Sequence, residues 1–410
     1  MERTKDRFYY LDYLRGFMVL LVVLDHAMHA YSQHYADYWF MSDVDRSVFI
    51  DVLHMQNDVI MMPFLLALAG LFTMHSLTRR GLMSFIKERV LRLGTAFVFG
   101  VSVVAGFLAY NRAIFKEGYL GGFLNFYLDT YWSFEKGPFG NFIMGSFWFI
   151  YYLALLTVVL LILRAVLPWV IRLLGKFMTF VLTGGVWGYV TLGILSAIIL
   201  GASDFVWGAP WWFGFKPVFF VRRARFLMEG LYFFLGVGAF VAGALKDPAL
   251  LKRLTDQWGA WVLVTFVTGG AYTWFSLTYF YDGAYTHDTA IILARGGSLG
   301  DALEVAKETS LMPLLRTTLL GFYMTSLSGM YLAVFGKFLN TPKPFWMALA
   351  ASSFGIYIFH EPFALWVHVH LFATEVPTLI KFVLAAGVSL GASWALTVLL
   401  KKIKGVDRVL

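Results

Sequence analysis

The chain has 410 residues, 59% of them hydrophobic and only 14% charged, with a mean hydropathy of +0.70. That composition excludes a soluble globular domain and gives a polytopic membrane protein, and the absence of cysteine excludes disulfides, thiol nucleophiles and Cys-ligated zinc. The net charge of +8 suits nucleic acid in the abstract, but on a membrane protein it more commonly marks Lys and Arg gathered in cytoplasmic loops; no nucleic-acid partner is expected.

The first apolar segment, 13–33, carries no A-x-A-like cleavage site after it and is read as a retained helix rather than a signal peptide. It overlaps YLDYLRGFMVLLVVLDHAMHAY, residues 10–31, where Arg15 and His26 stand eleven residues apart. At 100° per residue the pair returns to within about 20° of one helix face, separated by about 16.5 Å along the axis. With Arg15 at one surface of a hydrocarbon core about 30 Å thick, His26 falls near mid-depth. Ionisable groups at that depth are costly and are functional candidates. Asp12 can pair with Arg15 at i,i+3, and Asp25 with His29 at i,i+4 on another face. An imidazole suits general acid–base work near neutrality; the competing role is a polar packing contact with a neighbouring helix.

The loop 34–58 is acidic, with Asp37, Asp43, Asp45, Asp51 and Asp58 against Arg46. Its part 44–58 reads as an amphipathic interfacial piece, and His54 there, like His75 and His287, carries little weight. Spans 59–78 and 92–111 flank a basic loop, 79–92, containing FIKERVLRL. Arg89 and Arg92, at i,i+3, project from one face. Such a pair binds phosphate bidentately, although taken alone it more often means positive-inside charge or contact with anionic lipid. Trp148, in SFWFIYYL at the start of span 146–167, is an interfacial-belt aromatic or an acceptor contact. Spans 180–201 and 226–245 follow a basic loop at 168–179.

The stretch 202–225 is expected outside yet carries Lys216, Arg222, Arg223 and Arg225 against Asp204. It is either a snorkelling helix start or a contact for an anionic acceptor or lipid head group, with Arg222 and Arg223 as candidate substrate ligands. Spans 259–280, 314–336, 347–371 and 379–400 complete the chain. In SSFGIYIFHEPFALWVHVHLF, His360 and Glu361 lie mid-helix before Pro362, which frees a backbone carbonyl. A His–Glu pair there is costly unless it lines a cavity. His368 and His370, at i,i+2, do not face each other and read as interfacial; no metal site is expected. Gly184/Gly188 and Ser326/Ser328/Gly329 read as close helix packing.

Setting the N-terminus inside makes 1–7, 79–92, 168–179, 246–258, 337–346 and the C-terminal tail cytoplasmic, and all are basic. The expected architecture is therefore all-α and polytopic, about ten transmembrane helices with both termini cytoplasmic, forming one membrane domain over 1–410. No internal repeat is visible, which argues against an inverted-repeat transporter.

Five stretches in order, LDYLRGFMVLLVVLDH, MMPFLLALAGLFT, FIKERVLRL, SFWFIYYL and FGIYIFHEP, resemble the acyltransferase family 3 membrane proteins and cover nearly the whole chain. The family's Arg-x10-His pattern falls on Arg15 and His26, its Arg-x-x-Arg on Arg89 and Arg92, and its Tyr-x-x-His on Tyr357 and His360. One departure is Leu68-Ala69-Gly70, where the family often has Ser before Gly. The resemblance implies an O-acyltransferase of a bacterial inner membrane, using acyl-CoA as donor and an extracytoplasmic glycan or glycoconjugate as acceptor, with no permanently bound cofactor. It implies Arg15, Arg89 and Arg92 as donor ligands and His26 as the base. Asp25, His360 and Glu361 are then its candidate catalytic partners. No esterase-like domain is fused, so acceptor binding falls to the membrane domain or a partner. The alternative is a proton-coupled transporter or exporter with His26, His360 and Glu361 as a relay.

Overall fold

The computed structural model describes residues 8–36, 39–133, 143–207, 212–213, 221–279 and 299–410, without the side chains of 204–224, 248, 279–311 and 313. Among these residues the chain is helical, apart from a two-residue antiparallel pairing of Trp212–Phe213 with Val221–Arg222. In chain order the helices used below are α1 (Tyr9–Met28), α2 (Val48–Asp58), α3 (Met61–Arg80), α4 (Leu82–Glu117) and α5 (Trp148–Val166). They continue with α6 (Pro168–Thr183), α7 (Val186–Trp207), α8 (Arg223–Val241) and α9 (Pro248–Asp256). The last four are α10 (Trp258–Tyr279), α11 (Leu299–Phe338), α12 (Pro344–His370) and α13 (Thr378–Leu400).

Local chemistry sets the boundaries. Ser47 caps α2, its hydroxyl accepting from the Phe49 N–H at 3.2 Å. Gly81, at φ 78°, breaks α3 from α4 in a conformation only glycine adopts without cost. Pro168 and Pro344 start α6 and α12, where a missing N–H costs nothing.

Among the described residues, seven helical segments are long and apolar enough to cross a membrane: Val48–Arg80, Leu82–Glu117, Gly145–Val166, Val186–Ser203, Trp258–Thr278, Leu314–Phe338 and Thr378–Leu400. The remaining helices of comparable length, α1, α8 and α12, also hold ionisable groups within their spans: Asp12, Arg15 and Asp25; Arg225 and Glu229; His360 and Glu361. α1 lies along α12 and α13 and also touches α3 and α11, while α8 packs on α3 and α6. The α3–α8 crossing brings backbones together. A Cβ on Gly70 would overlap Phe233, and one on Gly236 would overlap Ala67. Such close approach is how apolar helices associate where burial from water offers no drive.

Three expectations change. The 168–179 segment is not a loop but most of α6, a helix of 16 residues. At about 1.5 Å rise per residue it spans about 24 Å, short of a hydrocarbon core. It packs on the end of α8 through Gly175 against Val241. The 44–58 piece becomes α2, whose buried face is Ile50, Asp51, His54 and Asn57, so its polar residues point inward. α1 starts earlier than 13–33 and ends at Met28, with a 3-10 turn at His29–Tyr31, so His26 sits in its last turn.

Candidate active site

α1 and α12 run side by side, and their contact brings two residues 334 positions apart into one hydrogen bond. His26 Nδ1 lies 2.6 Å from His360 Nε2. The imidazole planes are 13° from parallel, with centroids 4.9 Å apart. His360 Nδ1 lies 2.8 Å from the Tyr357 carbonyl oxygen, which can only accept. That fixes the proton of neutral His360 on Nδ1 and makes its Nε2 an acceptor. His26 must then donate from Nδ1, which leaves the lone pair of its Nε2 for chemistry. His360 is fully buried, whereas the His26 side chain retains 13% exposure.

Glu361 approaches the same nitrogen, its Oε1 3.7 Å from His26 Nδ1. Its other oxygen accepts from the Ser146 hydroxyl at 3.2 Å and faces the Ser146 N–H at 3.5 Å. The turn before α5 permits this approach. Gly145 adopts φ 52°, and a Cβ there would stand 3.2 Å from Glu361 Oε2. Tyr357 adds a hydrogen bond to the Ser146 carbonyl, and Ser389 on α13 donates to the His360 carbonyl at 2.7 Å. A carboxylate at this distance can stabilise positive charge on the His26 ring.

Asp25 is buried but turns to a different set. Its Oδ1 is 2.9 Å from His54 Nδ1 and accepts from Asn57 Nδ2 at 3.1 Å. Its Oδ2 is 3.9 Å from His29 Nδ1. Consecutive helical residues diverge by about 100°, so Asp25 cannot share the His26 face.

The segment after α1 folds over the histidine pair. Trp39 stacks on His26 with ring centroids 5.4 Å apart and on His29 at 5.1 Å. Its indole N–H donates to His368 Nδ1 at 2.9 Å, while His368 Nε2 lies 3.1 Å from the Ala27 carbonyl. Both nitrogens of His368 are therefore engaged. It is not interfacial but fully buried, pinning Trp39 to the end of α1. The segment is held further by Asp51, which accepts from the Ser32 hydroxyl and from the Gln33 N–H, by Lys116 on the Ala36 carbonyl at 2.9 Å, and by Lys381. Lys381 Nζ lies 3.1 Å from Asp43 Oδ1, both side chains being 0% exposed.

A second cluster lies at the opposite end of α1. Arg15 pairs with Asp12 at 3.6 Å, donates to the Ala350 carbonyl at 3.2 Å and lies over the Phe72 ring. Arg92 donates to the Val409 carbonyl at 3.1 Å and stacks over Phe354 at 4.9 Å. Lys401 donates to the Ala351 carbonyl at 2.5 Å. Burial, followed by the charges of Arg92 and Arg15, pushes the Lys401 ammonium below its ordinary pKa. Arg89 instead leans on α3 through the Thr73 hydroxyl at 2.7 Å. The sequence places Arg89 and Arg92 on one α-helical face, but Val90–Gly94 forms a π turn that opens the angle between them.

Of the remaining expected residues, Trp148 opens α5, its ring 6.4 Å from that of Tyr152. The Arg222 and Arg223 side chains lie outside the described residues. Their neighbour Arg225 forms an ion pair with Asp58 at 2.6 Å. From the sequence, His54 carries little weight, and Trp39, Ser146, Asn57 and Lys381 are not singled out. Lys381 had a signal of its own, a lysine inside an apolar run of spanning length.

No curated protein and no solved structure matches the chain. A family model described as an acyltransferase domain matches residues 8–398. With that match over nearly its whole length, the chain belongs to acyltransferase family 3.

Proposed function

We propose that the protein is a membrane O-acyltransferase moving an acyl group, acetyl or succinyl, from cytosolic acyl-CoA to a hydroxyl of an extracytoplasmic glycan or glycoconjugate at a bacterial inner membrane. The observation that carries this reading is the His26–His360 hydrogen bond, backed by Glu361, at one end of α1 with Arg15, Arg92 and Lys401 at the other. The basic loops support a cytoplasmic location for the cationic end and for both termini, and about ten crossings. In that arrangement the cations grip the phosphates of CoA. Arg89 adds charge from the α3 side. The pantetheine arm then runs along α1 to bring the thioester to His26.

His26 Nε2 takes the proton of the acceptor hydroxyl as its oxygen attacks the thioester carbonyl. The tetrahedral centre collapses, the C–S bond breaks, and the leaving sulfur of CoA takes the proton from the imidazolium. His360 holds the reacting tautomer, and Glu361 offsets the transient positive charge. Asp25 contributes to the architecture around His29 and His54 rather than to His26. Trp148, Arg222 and Arg223 are the candidate acceptor contacts, the two arginines suiting an anionic glycan.

The test pairs binding with chemistry. CoA and acetyl-CoA should raise the unfolding midpoint of the purified protein, because a ligand of the native state stabilises it. Arg15→Ala and Arg92→Ala should remove that shift. Mass spectrometry of surface glycans from cells with and without the gene should reveal the added acyl mass. Absence of any CoA-induced shift, together with substrate flux in liposomes, would overturn the reading in favour of a proton-coupled transporter.

A further inference from the structure

Beside the reacting pair, and independent of the acyl-transfer reading, α1 and α2 gather a second set of side chains. One ligand atom from each of Asp25, His29 and His54 lies within 4.8 Å of the others. We infer that these three residues form a binding site for one divalent transition-metal cation, with Zn2+ as its best-suited occupant. Two imidazoles and a carboxylate match the nitrogen and oxygen preferences of this borderline ion, and a fourth position remains for water or a substrate oxygen.

The surroundings are arranged as a metal site requires. His29 Nδ1 lies 2.8 Å from the Asp25 carbonyl oxygen, a hydrogen bond that holds the ring in place with its lone pair on Nε2. Such a hydrogen bond to a backbone carbonyl is how a ligating imidazole is oriented and its tautomer set. Asn57 does the same for the carboxylate, donating from Nδ2 to Asp25 Oδ1 at 3.1 Å and to the Leu21 carbonyl at 2.8 Å. Asp25 and His54 are buried at 2% and 3% exposure, so the ion would be shielded on two sides. The His29 and His54 rings meet edge to face at 4.8 Å between centroids, and Tyr35 covers His54 with its centroid 4.1 Å away.

Two imidazoles and a carboxylate around a dication leave a net charge of +1, so the carboxylate offsets part of the ion's charge in a low-dielectric surrounding. Zn–N and Zn–O bonds of about 2.0–2.2 Å set tetrahedral ligands roughly 3.3 Å apart, so loading draws the side chains inward by an ångström or so. The ion would link the last turn of α1, which carries His26, to α2. Asp25 lies in the last turn of α1, His29 opens the 3-10 turn that follows it, and His54 comes from α2, so the set exists only in the folded chain.

The experiment uses the full-length protein in detergent, purified through a tag without histidine and stripped with a chelator. Zn2+ alone is titrated by calorimetry, and Co2+ alone is followed by its visible d–d absorption. One equivalent is expected to bind, with the Co2+ bands appearing in parallel. His54→Gln and His29→Gln should each weaken binding at least 100-fold and remove the bands. His34→Gln and His370→Gln, which alter outlying histidines, should leave both readouts unchanged. Monodispersity and intrinsic fluorescence check folding. If His54→Gln does not fold, His29→Gln, at the less buried position, carries the comparison. Absence of stoichiometric binding, or binding that survives both ligand substitutions, overturns the site and leaves Asp25 as a carboxylate satisfied by His54 and Asn57 alone.

Discussion

A histidine that donates from Nδ1 keeps a lone pair on Nε2, and His26 owes that state to a chain of acceptors ending at the Tyr357 carbonyl. Removing the base should therefore cost chemistry and spare binding. His26→Ala is expected to lower the single-turnover rate by about 10²–10⁴-fold, the usual yield of a general base, with the CoA-induced thermal shift retained. Glu361→Gln keeps a side chain able to meet Ser146 but removes the charge. Its rate should fall less than that of His26→Ala, measured in the same single-turnover assay. His26, His360 and Glu361 were legible in the sequence because an ionisable residue in an apolar run is conspicuous and helix spacing orders it. Ser146 and Trp39 were not, since a serine before a helix and a tryptophan in a loop carry no signal until the fold brings them to Glu361 and His26. His54 was discounted for the same reason: only the packing of α2 turns it inward.

The segment over the site is tied to four helices, α2 through Asp51, α4 through Lys116, α12 through His368 and α13 through Lys381. The Lys381–Asp43 pair has both partners fully buried. Removing one partner of such a pair costs about 3–5 kcal/mol, whereas replacing both with apolar residues is often neutral. Asp43→Asn or Lys381→Met should then sharply lower the thermal midpoint, and Lys381→Met with Asp43→Leu should recover most of it. The crossing of α3 and α8 is as sensitive in another way. Gly70→Val or Gly236→Val forces a side chain into the opposing backbone, and fluorescence-detected size exclusion should show loss of the monodisperse peak. At this level the sequence was readable where hydrophobic runs were long. It was misread at α6, where a basic helix resembled a loop because its charges lower hydropathy without breaking the helix, and at α2, where an expected interfacial amphipathic piece turns polar residues inward. The π turn between Arg89 and Arg92 was invisible, since nothing in Val90–Gly94 marks an i→i+5 pattern.

For the molecule as a whole, the separation of a cationic end from a histidine end along α1 gives the protein two chemically distinct faces. Because the chain has no native cysteine, single cysteines can report topology without background. Cysteine at Asp45, on the segment covering the histidines, should react with a membrane-impermeant maleimide in intact cells. Cysteine at Lys402, past the end of α13, should react only after the membrane is opened. Labelling of both from the same side would contradict the proposed orientation. Composition and loop charge were enough to read the class of this protein. The packing partners of each helix, and hence the cluster at the end of α1, needed tertiary structure.

The length of α1 acts as a ruler. About 16.5 Å along the axis separates the level of Arg15 from that of His26 at 1.5 Å per residue. In the proposed reaction, a donor held by its phosphates would reach the His26 imidazole only if its arm matches that interval. On that proposal, cargo would be selected by the reach of its carrier as well as by its acyl group. A truncated thioester such as acetyl-N-acetylcysteamine lacks the phosphate anchor. Its turnover should be slow at saturation as well as weakly bound, because binding energy from the remote end is what drives the reacting end into place. It should also be indifferent to Arg92→Ala, while acetyl-CoA turnover falls. If both donors respond equally to that substitution, Arg92 does not measure the donor.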